Sequence, residues 1–254
     1  MIDYKQAQHL LSDQARSFGS DRRPSIALLT TGDEVVPAAV TPTGIQIRNS
    51  NRWLIDAALQ KNGFHLSACE HSTDDPMVLK TKIKNLLSHD VLILCGGVSA
   101  GDADHVPATL ESLGVKKLFY KVAIKPGKPT WCGVLAHRAT GREPRYTMVF
   151  ALPGNPLACL VNLILLIQPY LLACQGLRPT EPLGLPMGAS RRKRPALDEF
   201  FPVYWHGSPA RVIPVSINGS GDIRLGMQAN ALALHPAGCD HLAEGTPVLC
   251  YSFI

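Results

Sequence analysis

Five short polar or glycine-rich segments hold the residue types that could do chemistry. Thr30-Thr31-Gly32-Asp33-Glu34 sets adjacent carboxylates on a turn that Gly32 makes possible. Cys95-Gly96-Gly97-Val98-Ser99-Ala100-Gly101-Asp102-Ala103-Asp104 joins three glycines, whose backbone N–H groups can approach an anion, to a Ser99 donor and to Asp102 and Asp104, which could hold a cation or a hydroxyl. In Ala123-Ile124-Lys125-Pro126-Gly127-Lys128-Pro129 the prolines and Gly127 stiffen a loop that presents two ammonium groups, as an anion would require. Leu152-Pro153-Gly154-Asn155-Pro156 opens a long apolar stretch with the free N–H groups and dipole of a helix start. Asp74-Asp75-Pro76 adds a second carboxylate pair. Together they suit a phosphorylated or oxyanionic ligand with a cation. Each also has a plainer reading: a solvated turn or helix cap at Asp33 and Glu34, a structural glycine turn at 95–104, exposed lysines at 125 and 128, a helix start at 152–156, and a helix cap at Asp75.

Most of these segments follow apolar runs that read as strands. Residues 25–30 (SIALLT), 64–69, 90–95 (DVLILC), 115–122 and 146–152 are expected strands. Residues 51–62, closed by Gly63, with 76–88 and 106–113, closed by Gly114, are expected helices. The near-continuous apolar strands argue a three-layer α/β unit with a doubly wound, mostly parallel sheet, in which ligands bind at the carboxyl ends of the strands. Before it, residues 2–18 form a short amphipathic helix. After residue 177 the texture turns rich in proline and glycine, and runs at 200–206, 210–215, 223–227, 231–235 and 247–253, with a turn at 218–221, predict a small all-β, barrel-like unit. The expected organisation is 1–23 helix and linker, 24–177 α/β domain, and 178–254 C-terminal β domain.

Composition limits the partners. Of 254 residues 46% are hydrophobic and 18% charged, and the net charge is +5, too mild for a duplex-binding surface, so no nucleic-acid partner is expected. Seven cysteines without a CxxC pair suit buried thiols in the reducing cytoplasm. The stretch 157–174 is apolar enough to question, but Asn162, Gln168 and Pro169 interrupt it, so a buried or subunit-interface helix is expected rather than a membrane span. Asp3, Lys5, Gln6 and Gln8 break any signal-peptide core. The glycine loop is neither a Walker A motif nor a dinucleotide fingerprint, and no HExxH motif occurs. The run Arg191-Arg192-Lys193-Arg194 reads first as a solvated linker patch, with contact to an anionic ligand or partner as the alternative.

In their order, TTGDE (30–34), GIQIRNSN (44–51), the pair Asp74 and Asp75, GGVSAGDAD (96–104), KVAIKPGKP (121–129), LPGNP (152–156) and QPYLLACQG (168–176) resemble the molybdopterin molybdenumtransferase family, which inserts molybdenum into molybdopterin and includes the E domain of gephyrin. Ser220-Gly221, Ala229-Asn230 and EGTPV (244–248) look like that family's terminal β-barrel domain. The resemblance implies a molybdopterin-binding α/β domain that takes adenylylated molybdopterin and molybdate with Mg²⁺ and releases AMP.

Carried over by motif, Asp33, Glu34, Asp104, Lys125 and Lys128 would be the catalytic set. Asp33 and Glu34 would lie in the magnesium or molybdate region. Thr31, Gly32, Asp74, Asp75, Gly96, Gly97, Ser99, Gly101, Asp102, Pro126, Gly127, Pro153, Gly154, Asn155 and Pro156 would bind the pterin phosphate and nucleotide. The chain departs from the family in two places. Residues 2–18 run almost straight into 25–30, where the family inserts two further domains, and Asn49 stands where the family often has Asp. Two roles follow: a reduced insertase, or a non-catalytic carrier of molybdopterin or molybdenum cofactor. A homodimer through 157–173, and contacts with other proteins of molybdenum cofactor biosynthesis, are the expected partnerships.

Overall fold

A computed structural model of the chain describes residues 1–16, 18, 23–98, 105–137, 145–194, 196–207, 210–217 and 228–253. Helix α1 (Tyr4–Arg16) forms where Tyr4, Ala7, Leu11 and Ala15 recur at helical spacing, and these are its buried side chains. The chain then runs through β1 (Ile26–Thr31), β2 (Val35–Val36), β3 (Ile47–Arg48), α2 (Ser50–Lys61), β4 (Leu66–Ser72), α3 (Pro76–Leu86), β5 (Val91–Cys95) and α4 (Val106–Ser112). It continues with β6 (Lys116–Tyr120), β7 (Ile124–Lys125), β8 (Trp131–His137), β9 (Arg145–Leu152), α5 (Pro156–Asn162), a π-helical turn over Leu163–Ile167, and α6 (Gln168–Cys174).

The first sheet has the order β4-β1-β5-β9-β8-β6. Strands β4, β1, β5 and β9 are mutually parallel, and β8 runs antiparallel to both of its neighbours. Alternation along each strand feeds two cores. Ile26, Leu28 and Ile93 face α1, α2 and the α5–α6 helix, whereas Ala27, Leu29, Leu92 and Leu94 face α3 and α4. Helices on both faces explain why β1 and β5 are buried along their whole length.

The remaining strands are β10 (Leu183–Pro186), β11 (Arg191–Arg192), β12 (Asp198–His206), β13 (Arg211–Pro214), β14 (Ala231–His235), β15 (His241–Leu242) and β16 (Pro247–Ser252). They form a sheet ordered β10-β16-β14-β12-β13, and a bridge between Met187 and Val212 brings its first and last strands together, as in a barrel. This sheet does not stand apart from the α/β unit. Strand β7 pairs in parallel with β12, and Phe200 packs edge-on against Tyr4 and Tyr251 at 5.4 and 5.7 Å inside the core that α1 shares.

Several expected bounds shift. The strand expected at 64–69 is Leu66–Ser72, because Phe64 turns into the core beneath α2, and the strand expected at 115–122 ends at Tyr120. Strand β8 has no counterpart among the expected strands. The run expected at 223–227 and the turn at 218–221 lie outside the described residues. The apolar stretch is the core helix Pro156–Cys174, with 78% of its apolar window buried by its own chain. Gln8 Nε2 donates to the Leu165 carbonyl at 2.8 Å and Gln168 Nε2 to Ala58 O at 3.2 Å, so α1 and α2 clasp the π-helical turn. Most of the helix expected to form a homodimer face is therefore packed within its own chain, with Leu172 and Ala173 left half-exposed.

All seven cysteines are free thiols, five buried and only Cys69 and Cys239 half-exposed. Burial raises the Cys174 and Cys250 thiols to about 11. Native protein is expected to give at most two thiols reacting promptly with Ellman's reagent, and all seven in denaturant. Prompt reaction of four or more would contradict this packing.

Candidate functional site

The strand register aligns the four turns. Thr31 pairs with Ser72, Thr30 with Cys95, and Cys95 with Leu152, so β1, β4, β5 and β9 end level with one another and their polar turns share one edge. The Gly96 N–H donates to Leu152 O at 3.0 Å, which ties the glycine loop to the Pro153–Pro156 turn. A Cβ on Gly96 would lie 2.4 Å from Thr31 Oγ1, so the loop packs against β1 at a distance only glycine permits.

The two carboxylate turns are joined reciprocally. Asp33 N–H donates to Asp74 Oδ2 at 3.3 Å and Asp74 N–H to Asp33 Oδ1 at 3.1 Å. The Glu34 carboxylate folds back over Gly32, where a Cβ would come within 2.6 Å of it. Asp75 caps α3 by accepting from Met77 N and Val78 N at 2.9 Å, and Asn155 caps α5 by accepting from Ala158 N at 3.2 Å. Both side chains therefore serve the helix starts that the sequence also allowed them.

Asn49 shows what replaces the expected Asp. Its Oδ1 accepts from Arg52 N at 3.2 Å to cap α2, while its Nδ2 donates to buried Thr30 Oγ1 at 2.8 Å, a donation no carboxylate could make. Asn51 Nδ2 donates to Gly154 O at 2.7 Å, and its buried Oδ1 has no hydrogen-bond partner. Behind the edge, the Cys95 and Cys159 sulfurs lie 3.7 Å apart. Their hydrogen bond, then burial, pushes the Cys95 thiol well above its ordinary value, which makes it an unreactive packing group.

The lysine loop enters the same edge from the far side of the sheet, between β6 and β8. Buried Asn162 anchors it: Thr130 Oγ1 donates to Gly127 O and Asn162 Oδ1 at 2.8 Å, and a Cβ on Gly127 would meet Asn162 Nδ2 at 2.5 Å. Lys128 is exposed, while Lys125 Nζ lies 3.5 Å from Glu199 Oε2 of β12. Ser99, Gly101, Asp102 and Asp104 lie outside the described residues. Among the described residues no group of three or more His, Cys, Asp or Glu could hold a metal ion.

Sequence reasoning missed Asn162, Glu199 and the role of Arg191. Arg191 is not a solvated linker residue, because its guanidinium lies 4.1 Å over the Phe201 ring and donates to Glu199 and His235. The signals available were the uncharged Asn inside an apolar helix and the acidic residue flanking Phe200 and Phe201, and neither specifies a partner.

Residues 27–173 match the model described as Probable molybdopterin binding domain, and residues 185–253 match the MoeA C-terminal region (domain IV). A molybdopterin molybdenumtransferase of Synechococcus elongatus is 35% identical over 229 residues, covering 88% of this chain and 54% of the relative. One from Synechocystis is 32% identical, covering 81% and 51%. The crystal structure of a molybdopterin biosynthesis MoeA protein from Pyrococcus horikosii superposes with a TM-score of 0.74 at 28% identity, covering 92% of this chain and 55% of that one. The chain thus spans about half the length of the curated relatives it matches. A family model that takes in every turn of the common strand edge, followed directly by the MoeA C-terminal region, places this chain in the molybdopterin-binding domain family.

Proposed function

We propose that the chain serves molybdenum cofactor biosynthesis by binding adenylylated molybdopterin along the edge where β4, β1, β5 and β9 end, and by inserting molybdenum from molybdate with Mg-dependent release of AMP. The observation that carries this reading is the level strand register, which brings carboxylate, glycine and helix-start turns of a family-typical order to one edge. The Gly96 and Gly97 backbone and the start of α5, at Pro153–Pro156, would meet phosphate oxygens. Ser99, Gly101, Asp102 and Asp104 belong to the same loop. Thr31 and Gly32 would bring the β1 turn against the ligand, and Lys125 and Lys128, on the loop that Pro126 and Gly127 shape, would attract molybdate or phosphate.

The described residues hold no ready-made cluster of three metal ligands, so a magnesium ion here would depend on the ligand's own phosphates, as Mg²⁺ commonly does when one or two carboxylates complete its shell. Asp33 and Glu34 would hold it, and it would supply charge stabilisation at the phosphates. The lysines balance the remaining oxyanion charge.

A second reading uses the same edge: the chain would bind the ligand without turning it over, as a carrier of molybdopterin or of the finished cofactor. A cytoplasmic location, and assembly as a homodimer or with other proteins of the same biosynthesis, belong to either reading.

The deciding experiment incubates the protein with adenylylated molybdopterin, magnesium and molybdate and follows AMP release. Asp33→Asn keeps the oxygen that accepts from Asp74 N–H, so it tests charge rather than fold. This variant and Lys128→Ala are each expected to lower AMP release by about 100-fold or more. Tight binding without turnover in the parent protein would select the carrier reading, and no binding would reject both.

A further inference from the structure

Lys125, Glu199 and His235 form one row across three adjacent strands. The register pairs Lys125 of β7 with Glu199 of β12, and Glu199 with His235 of β14. Directly paired residues point to the same face of a sheet, and their side chains meet. Arg191 lies along this row: Nη2 donates to Glu199 Oε1 at 2.5 Å, Nη1 donates to His235 Nδ1 at 2.8 Å, and the guanidinium stacks on Phe201. The Glu199 side chain is 14% exposed and that of Arg191 19%, whereas Lys125 is 66% exposed. A fixed, shielded carboxylate thus lies 3.5 Å from the ammonium of a lysine whose side chain is otherwise largely exposed.

Charge bookkeeping explains why such an anchor does not silence the lysine. A lone carboxylate 3.5 Å from Lys125 would cancel the field an incoming oxyanion should feel. Arg191 already neutralises Glu199, and His235, accepting from Arg191, is uncharged, so the row as a whole retains the positive charge of Lys125. Burial alone would raise the Glu199 carboxyl, yet the Arg191 hydrogen bond and charge, with Lys125, hold it below the usual carboxylate range.

We propose that Glu199, compensated by Arg191, is a positioning residue that fixes where Lys125 presents its ammonium to an oxyanion, making the C-terminal sheet a structural part of the lysine site. The proposal rests on the reading that the 125–128 loop meets an oxyanion, and the test separates the two. Molybdate alone is titrated calorimetrically into the full chain, into Glu199→Gln, into Lys125→Ala and into the double variant. Simple electrostatics would tighten molybdate binding in Glu199→Gln, because the site becomes more positive. Positioning instead weakens it, by about three- to ten-fold, and the loss vanishes in the Lys125→Ala background.

A merely structural role would leave the loss intact in that background. Unchanged or tighter binding in Glu199→Gln, or the same loss with and without Lys125, would overturn the proposal alone. Unchanged binding in Lys125→Ala would overturn the oxyanion reading and the proposal with it. Should Glu199→Gln fold poorly, Arg191→Gln/Glu199→Gln removes the pair without leaving a buried guanidinium unmatched, and the same cycle applies.

Discussion

Gly96→Ala is expected to destabilise the protein by about 3 kcal/mol, whereas Gly154→Ala, in the loop packed against it, should cost less than about 1 kcal/mol. At Gly96, φ is +108°, and an added Cβ would lie 2.4 Å from Thr31 Oγ1 and 3.0 Å from the Thr31 carbonyl oxygen. Thr31 is nearly buried at the end of β1 and cannot withdraw without breaking its pairing with Ser72. Strained backbone and overpacking therefore add. At Gly154 the nearest atom to an added Cβ is 3.7 Å away, an ordinary contact. In a chain of this length a 3 kcal/mol loss lowers the melting temperature by roughly 6–12 °C. Scanning calorimetry of the two variants decides the matter, and similar melting points would show that the loops are not packed this way. Because Gly96 also shapes the edge at which the ligand would bind, its variant should lose pterin affinity even at temperatures where it is folded.

What the sequence showed and what it hid divide along one physical line. Apolar runs ending in polar turns are local, so β1, β5, β9 and the turns that begin at Gly96 and Pro153 could be read directly, along with their common edge. Local caps at Asp75 and Asn155 were also legible as one of two readings. Strand β8 was not, because Gly133 and His137 break its apolar pattern. The glycine is there because the Trp131 ring folds over it, with a Cβ at 133 meeting the indole at 2.4 Å. Relations set only by strand register were hidden as well. Asp33 and Asp74 are 41 residues apart, and Arg191 and His235 are 44 apart, so no spacing rule joins them. The helix 157–173 was ambiguous in a third way. Its lack of charge is equally suited to a subunit interface and to a core covered by α1 and α2, and only the packing distinguishes them.

The second large effect is acid sensitivity set by His235. This imidazole is fully buried, and burial first, then the Arg191 and Lys193 charges, lower its pKa from 6.5 to about 4, with Glu199 opposing. The folded state therefore refuses a proton that the unfolded chain accepts between pH 6.5 and 4. Because the unfolded state binds more protons there, stability is fully present above pH 6.5 and falls as pH drops, by up to about 1.4 kcal/mol per pH unit and on the order of 3 kcal/mol in all. Glu199 acts in the same direction but later: its lowered carboxyl gives stability that is present above the unfolded value of 4.5 and lost as pH falls through the folded one. Urea denaturation at pH 7, 6, 5 and 4.5 measures the slope. His235→Gln keeps an oxygen that can accept from Arg191 and carries no titratable group, so its stability should fall more gently with pH over this window, even if it is lower at pH 7. A slope unchanged in His235→Gln would mean that the buried imidazole is already protonated in the folded protein, and with it the Arg191–Glu199–Lys125 row would carry one more positive charge than the geometry implies.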